Sequence, residues 1–210
     1  MDLLPPDPAH ALPEASAAAE LTTTVVIGSG LPGLAVASEL SRHGIDSIVV
    51  EGLDCLDSGP MRTVMSDSVS LSERSELLRL LRAYASSHCL DVRSATRCEE
   101  LSIIGHSTVL PARVPSSKKW AIQTADGVLL ADHVVLTKYP QNQLRRFLRS
   151  LGIAIGADFR AALAAIGLHL VGVGEVLTPS TREIVRQAKL VSDTIAASGR
   201  ASRGPLASHA

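Results

Sequence analysis

Thr24-Val25-Val26-Ile27-Gly28-Ser29-Gly30-Leu31-Pro32-Gly33 is the stretch on which the fold turns. A run of β-branched residues stops at a glycine, the pattern of a short buried strand. Leu34 to His43 then has helical spacing, and Ser47-Ile48-Val49-Val50 is a second β-branched run. Strand, helix and strand in this order make a β-α-β unit. Both strands read as apolar on two faces, which a parallel sheet covered by helices requires.

The glycines of this stretch match G-x-G-x-x-G directly after a strand and directly before a helix, the context that gives the motif its meaning. Gly28 permits the tight turn, Gly30 lets the backbone approach a pyrophosphate, and Gly33 lets the helix pack close to the strand. Ser29, Leu31 and Pro32 complete the loop, and the helix N-terminus offers its free N–H groups to phosphate. Glu51 stands 18 residues after Gly33, at the carboxyl end of the second strand. There its carboxylate accepts hydrogen bonds from ribose hydroxyls and disfavours a 2′-phosphate. These residues predict a dinucleotide site and leave FAD and NAD both open.

Outward from the loop, Ser70-Leu71-Ser72-Glu73 reads as a capping box. The helix it opens carries Leu77, Leu78, Leu80, Leu81 and Tyr84 on its apolar side, with Arg74, Arg79 and Arg82 toward water. A third strand is expected near Leu90 to Ala95. Trp120 to Thr124, a turn at Ala125-Asp126-Gly127 and Val128 to Ala131 predict a β-hairpin leading into the strand His133 to Leu136. Leu168 to Val173 reads as a last strand. Ser180 to Ala197 reads as a helix with Ile184, Ala188, Val191 and Ile195 on one side; Thr178 or Ser180 can cap it, and Ser180-Thr181-Arg182-Glu183 reads as a capping box. The expected organisation is a flexible tail at 1–21, one α/β domain at 22–198 and a second flexible tail at 199–210.

With 210 residues and a formal net charge of -1, the chain has room for one domain and no basic field to hold nucleic acid or an anionic membrane. No apolar run reaches the roughly 20 residues of a membrane-spanning helix. The first residues, an acid followed by prolines, do not read as a secretory signal, so a cytoplasmic protein is expected. Cys55, Cys89 and Cys98 have no C-x-x-C spacing and read as structural thiols. The seven histidines show no metal-ligand spacing, and no metal site is expected.

Residues 24–51, TVVIGSGLPGLAVASELSRHGIDSIVVE, resemble the N-terminal FAD-binding segment of the flavin-containing monooxygenases and of the wider FAD-dependent pyridine-nucleotide oxidoreductases. Residues 72–101 are similar to that family's helix and following strand, residues 120–140 to its hairpin and the strand ending in an Ala-Thr-Gly-like turn, and residues 168–196 to its C-terminal strand, Gly-Asp turn and helix. The resemblance implies a Rossmann-like FAD-binding domain with a parallel sheet and an inserted β-hairpin or meander. It also implies FAD as cofactor, Cys98 touching the adenine through backbone atoms, and Gly174 and Glu175 at the ribityl chain. The chain departs from the pattern in three places. Lys138 replaces the turn glycine, Glu175 replaces the aspartate, and no second complete G-x-G-x-x-G for NAD(P)H is present.

Three functions remain open on this reading. The first is a FAD-dependent oxidoreductase, monooxygenase-like or reductase-like, that receives electrons from NAD(P)H, a partner reductase or its substrate. The second is a noncatalytic dinucleotide-binding remnant of a flavoprotein, motivated by Lys138 and Glu175. The third is an NAD-binding protein using Glu51 on the adenosine ribose. No catalytic acid, base or nucleophile is assigned; His106, His133 and His169 qualify by residue type alone. Apolar surface left by a missing nicotinamide domain points to a homodimer or a partner protein.

Overall fold

A computed structural model of the chain describes residues 19–53, 68–104, 119–137, 141–153, 159–173 and 179–202. β1 (Ala19–Ile27) leads through the glycine loop into α1 (Leu31–Arg42), and β2 (Ser47–Leu53) returns parallel to β1, Val25 beside Ile48 and Val26 beside Val49. This is the β-α-β unit that the sequence predicts. α2 (Ser68–Ser87) then carries the chain to β3 (Asp91–Ile103), which runs parallel to β2 with Val92 beside Val49. β4 (Trp120–Thr124) and β5 (Gly127–Leu136) form the expected antiparallel hairpin, Thr124 facing Gly127. α3 (Gln141–Ser150) and α4 (Phe159–Ala165) follow, then β6 (Leu168–Leu170) and α5 (Thr181–Ser202).

The strand pairings close on themselves. β1 pairs with β2, β2 with β3, β3 with β4, β4 with β5, and β5 returns to β1 in parallel, Ile27 beside Leu136. β6 adds to the free flank of the second half of β5. The closure is possible because β3 is long: its first residues pair with β2, and after a register shift its last ones pair with β4. Inside the ring lies one apolar cluster, with Val25, Ile27, Val50, Cys98, Trp120 and Val134 at its centre, extended by Leu144 and Leu148 of α3. Trp120 is fully buried and donates its indole N–H to Ile166 O at 2.8 Å, which satisfies the one polar atom it takes inside. Outside the ring, Val26, Val49 and Val135 pack against Val36 and Leu40 of α1 and Ile184, Ala188 and Ile195 of α5. Alternation along β1, β2 and β5 thus feeds two cores, the reason that 25–27, 48–50 and 134–136 are each apolar without a break.

Several local expectations shift. α2 begins at Ser68, so Ser70 lies within its first turn and is no N-cap. Leu77, Leu78 and Leu81 pack toward the outer core, whereas Leu80 falls off that stripe and is 51% exposed. Arg74 is half-buried and donates to Pro179 O at 2.8 Å, tying α2 to the start of α5. The strands at 128–131 and 133–136 are one continuous β5. α3 and α4 had no counterpart in the sequence reading. Residues 19–21 belong to β1 and 199–202 to α5; the rest of both expected tails lies outside the described residues.

Candidate dinucleotide site

The carboxyl ends of β1, β5 and β6 meet, and the site is built on what leaves them. Gly28 exits β1 with φ at 117°, a conformation that residues with a Cβ rarely adopt. Its N–H donates to Val50 O at 2.8 Å, which ties the turn to the middle of β2, just before Glu51. A Cβ on Gly33 would stand 1.8 Å from Gly28 O, so α1 reaches this close to the turn only because position 33 has no side chain. Gly30 is different. Its φ of -76° and ψ of -171° suit any residue, and a Cβ there would meet nothing nearer than Pro32 Cδ at 3.8 Å. The fold itself therefore does not require glycine at 30, an exposed position.

Gly30 is the N-cap residue of α1, and no side chain caps the helix. The first-turn N–H groups of Leu31 and Gly33 have no intrahelical acceptor, and Pro32 has no N–H to give. No acidic residue stands in that first turn, while Arg42 occupies the last. The positive end of the helix dipole is therefore presented to an anion with no carboxylate in the helix's own first turn.

Two elements from the far end of the chain support the loop. Thr137, just past β5, is buried; its Oγ1 lies 2.9 Å from Ile27 O and 3.2 Å from Gly28 O, and its N–H donates to Ile27 O at 3.0 Å. Gly172, after β6, has φ at 68°, and a Cβ on it would stand 3.6 Å from Pro32 Cγ and 3.7 Å from Pro179 Cγ. The Gly172 N–H donates to Gln187 Oε1 at 2.8 Å, and Gln187 Nε2 donates to Glu183 Oε1 at 2.7 Å. Glu183 N–H donates to Ser180 Oγ at 3.2 Å, so Ser180 caps α5 as the sequence predicts. The Glu183 carboxylate does not close the capping box but turns to Arg186 and Gln187. Their hydrogen bonds, Arg186 first, hold its pKa down at about 2. The sequence marks Thr137 only as part of Leu136-Thr137-Lys138, the counterpart of the Ala-Thr-Gly turn, without this contact, and does not mark Gln187. The only local signal for Gln187 was its position four residues after Glu183 on a helix.

Glu51, expected at the carboxyl end of the strand, lies two residues before the end of β2 because the strand continues to Leu53; it is half-exposed, with Arg97 Nε of β3 3.7 Å from its Oε2. It lies at the same end of the sheet as the glycine loop, joined to it through the Gly28–Val50 hydrogen bond. Cys98 is fully buried, its Sγ 3.7 Å from Glu100 O, on a stretch of β3 that pairs with both β2 and β4. Gly174, Glu175, Lys138, Cys55 and His106 lie outside the described residues. His133 and His169 sit on neighbouring strands, buried, with Nδ1 and Nε2 3.4 Å apart. Burial, then the neighbouring His133 and Lys119, push His169 down to about 4, so it is neutral at pH 7. A cleft of about 500 Å³ lined by Glu20, Thr22, Asp46, His88, Cys89 and Asp91 opens at the amino ends of β1, β2 and β3, opposite the glycine loop. Among the described residues, no helix is long and apolar enough to cross a membrane.

A family model described as FAD binding domain matches residues 21–169, more than two thirds of the chain. The chain belongs to the FAD binding domain family. Its dinucleotide is thus FAD, which closes the choice that the glycine motif left open. No curated protein sequence matches the chain. Among solved structures it is similar to a geranylgeranyl bacteriochlorophyll reductase-like protein from Thermoplasma acidophilum, with TM-score 0.52 and 9% identity over 88% of this chain and 80% of that one. This likeness shows a shared fold. It is also similar to the bacillithiol disulfide reductase Bdr from Staphylococcus aureus (TM-score 0.37, 18% identity, 57% of this chain and 39% of that one). A flavin-containing monooxygenase from Stenotrophomonas maltophilia gives TM-score 0.35 and 19% identity over 56% of this chain and 38% of that one. The chain therefore spans less than two fifths of the length of these last two proteins.

The residues present fit the pyrophosphate of FAD. Gly30 leaves open the space that a Cβ would fill, and the uncapped start of α1 faces it. As a member of the FAD binding domain family, the chain has its Rossmann-like core in the parallel strands β3, β2, β1, β5 and β6, with β4 completing the inserted hairpin.

Proposed function

We propose that the chain is a flavin-dependent oxidoreductase of the monooxygenase-like or reductase-like kind, with NAD(P)H or a partner protein as electron donor. The observation that carries this reading is the contrast within the loop: a Cβ on Gly33 would clash with Gly28 O, whereas the fold leaves open space at Gly30, as a pyrophosphate resting there would need. In this reading the backbone of Gly28, Ser29, Gly30, Leu31, Pro32 and Gly33 binds the pyrophosphate at the N-terminus of α1. Glu51 accepts hydrogen bonds from the adenosine ribose, which orients the nucleotide half. The Cys98 backbone meets the adenine, and Gly174 and Glu175 hold the ribityl chain. The capped start of α5, on the same end of the sheet, adds a second positive helix end. Bound FAD supplies the electron and hydride chemistry, and the protein supplies position and electrostatics. The sequence holds one complete G-x-G-x-x-G, which supports a donor that is not held by a second such loop in this chain.

The test is an absorbance spectrum of the purified protein before and after FAD is added and the excess removed, followed by NADH and NADPH oxidation with an artificial acceptor. Retained flavin bands near roughly 370 and 450 nm with turnover above that of free FAD support the proposal. A protein that stays colourless overturns the binding reading. Flavin without turnover by either nicotinamide or by a reductase would leave a binding protein in place of an enzyme.

A further inference from the structure

We infer that Thr137 is the positioning residue that turns the Ser29 N–H toward the FAD pyrophosphate, an inference that rests on the glycine loop holding that group. The argument starts from the peptide plane. In a trans peptide the C=O of one residue and the N–H of the next point in opposite directions, so fixing Gly28 C=O fixes Ser29 N–H. Gly28 O is fixed from two sides. Thr137 Oγ1 is 3.2 Å from it, and Gly33 lies so close that a Cβ there would be 1.8 Å away. Gly28 O therefore points inward, toward Thr137 and α1. Ser29 N–H points the other way, toward the half-exposed rim of the loop where Gly30 leaves its open space.

Thr137 is well placed to hold this orientation. Its own backbone N–H donates to Ile27 O at 3.0 Å, and Val171 N–H donates to Leu136 O at 3.0 Å, so the residue is anchored by the end of β5 between two neighbouring chain segments. The single hydroxyl hydrogen is shared between Ile27 O at 2.9 Å and Gly28 O at 3.2 Å. Ile27 O keeps the Thr137 N–H when the hydroxyl is removed; Gly28 O loses this donor. A glycine at 28 with φ at 117° has no Cβ to resist rotation of the peptide. The hydroxyl thus controls a plane that the backbone alone leaves soft.

The experiment is FAD titration of the full chain and of Thr137→Val, Thr137→Ser and Gly30→Ala, read by Kd and by the ¹H–¹⁵N resonance of Ser29. In the wild type, the Ser29 amide proton should shift downfield on FAD binding as it takes a charged acceptor. Thr137→Ser should match the wild type. Thr137→Val should bind FAD about tenfold more weakly, the loss expected for one charge-assisted hydrogen bond, with the Ser29 shift diminished. A wild-type Ser29 resonance that does not respond to FAD overturns the inference even if Thr137→Val fails to fold. So does a folded Thr137→Val with wild-type affinity and shift while Gly30→Ala binds weakly. If neither Gly30→Ala nor Thr137→Val alters FAD binding, the loop reading itself falls.

Discussion

Replacing Gly30 by alanine separates what the loop does for the fold from what it does for the ligand. The new Cβ would meet only Pro32 Cδ, at 3.8 Å, and the φ of -76° is open to alanine. Two small terms then act on stability. Loss of unfolded-chain freedom stabilises by about 0.4–1 kcal/mol, while alanine at an N-cap costs roughly 0.5–1 kcal/mol relative to glycine. They offset, and the melting temperature of the FAD-free protein should move by no more than about 2 °C. Binding has no such offset. The methyl group enters the space on which the pyrophosphate would rest, which adds an overpacking cost of about 1–3 kcal/mol. It also holds the phosphate back from the start of α1, losing up to about 1–2 kcal/mol of helix-end attraction. A sum near 3 kcal/mol weakens FAD roughly a hundredfold. Calorimetric FAD titration of both proteins at one ionic strength, beside thermal scans without FAD, measures both halves. Affinity within twofold of wild type, or a melting temperature lowered by many degrees, would refute the reasoning.

Gly33→Ala should behave in the opposite way. Its Cβ would stand 1.8 Å from Gly28 O, so α1 or the turn must move, and thermal scans should show a loss of about 3 kcal/mol or more, several degrees in melting temperature. The buried His169, with its pKa near 4, binds a proton more readily in the unfolded chain, whose histidines titrate near 6.5. The stability it contributes is complete above about pH 6.5 and is lost as pH falls toward 4, by up to about 3 kcal/mol. Urea midpoints between pH 7 and 5 should fall, and less so in His169→Leu; parallel curves for the two proteins would contradict the assignment. Trp120→Phe leaves Ile166 O without its indole donor at a buried site and should cost about 1–3 kcal/mol by urea unfolding. A change below 0.5 kcal/mol, on the scale of surface substitutions, would count against that hydrogen bond.

The parts of the fold legible in the sequence are those governed by local rules. Thr24 to Ile27, the glycine spacing and Ser47 to Val50 read correctly because backbone sterics and burial on two faces leave few alternatives there. The hairpin read correctly because Asp126-Gly127 sets its turn, with Gly127 at φ 137°. α3 escaped because Gln141, Asn142, Gln143 and three arginines mask the apolar Leu144, Phe147 and Leu148, whose spacing is helical and which pack on the inner cluster. β3 read too short because its second half alternates charged residues with Cys98 and Leu101, and it is held as a strand by pairing with β2 at Arg97 and Cys98 and with β4 from Cys98 onward. Within the site, Gly33 and Ser180 were legible for the same local reasons. Thr137 was legible only as a residue of the Ala-Thr-Gly-like turn; its contact was not, since its hydroxyl acts on a carbonyl 109 positions away and nothing in its immediate neighbours signals it.

The closed ring of strands also sets a timetable. β1 completes its pairing only with β5, and Ile27 and Thr137 are 110 positions apart in the chain. At translation rates of about 5–20 residues per second, β1 and its glycine loop wait roughly 5–20 s for that neighbour to be made. During that interval the flank of β1 that β5 will cover has no sheet partner, and the turn at Gly28 has no threonine behind it. The loop is therefore complete as a site only once β5 and Thr137 have been made, well after its own glycines.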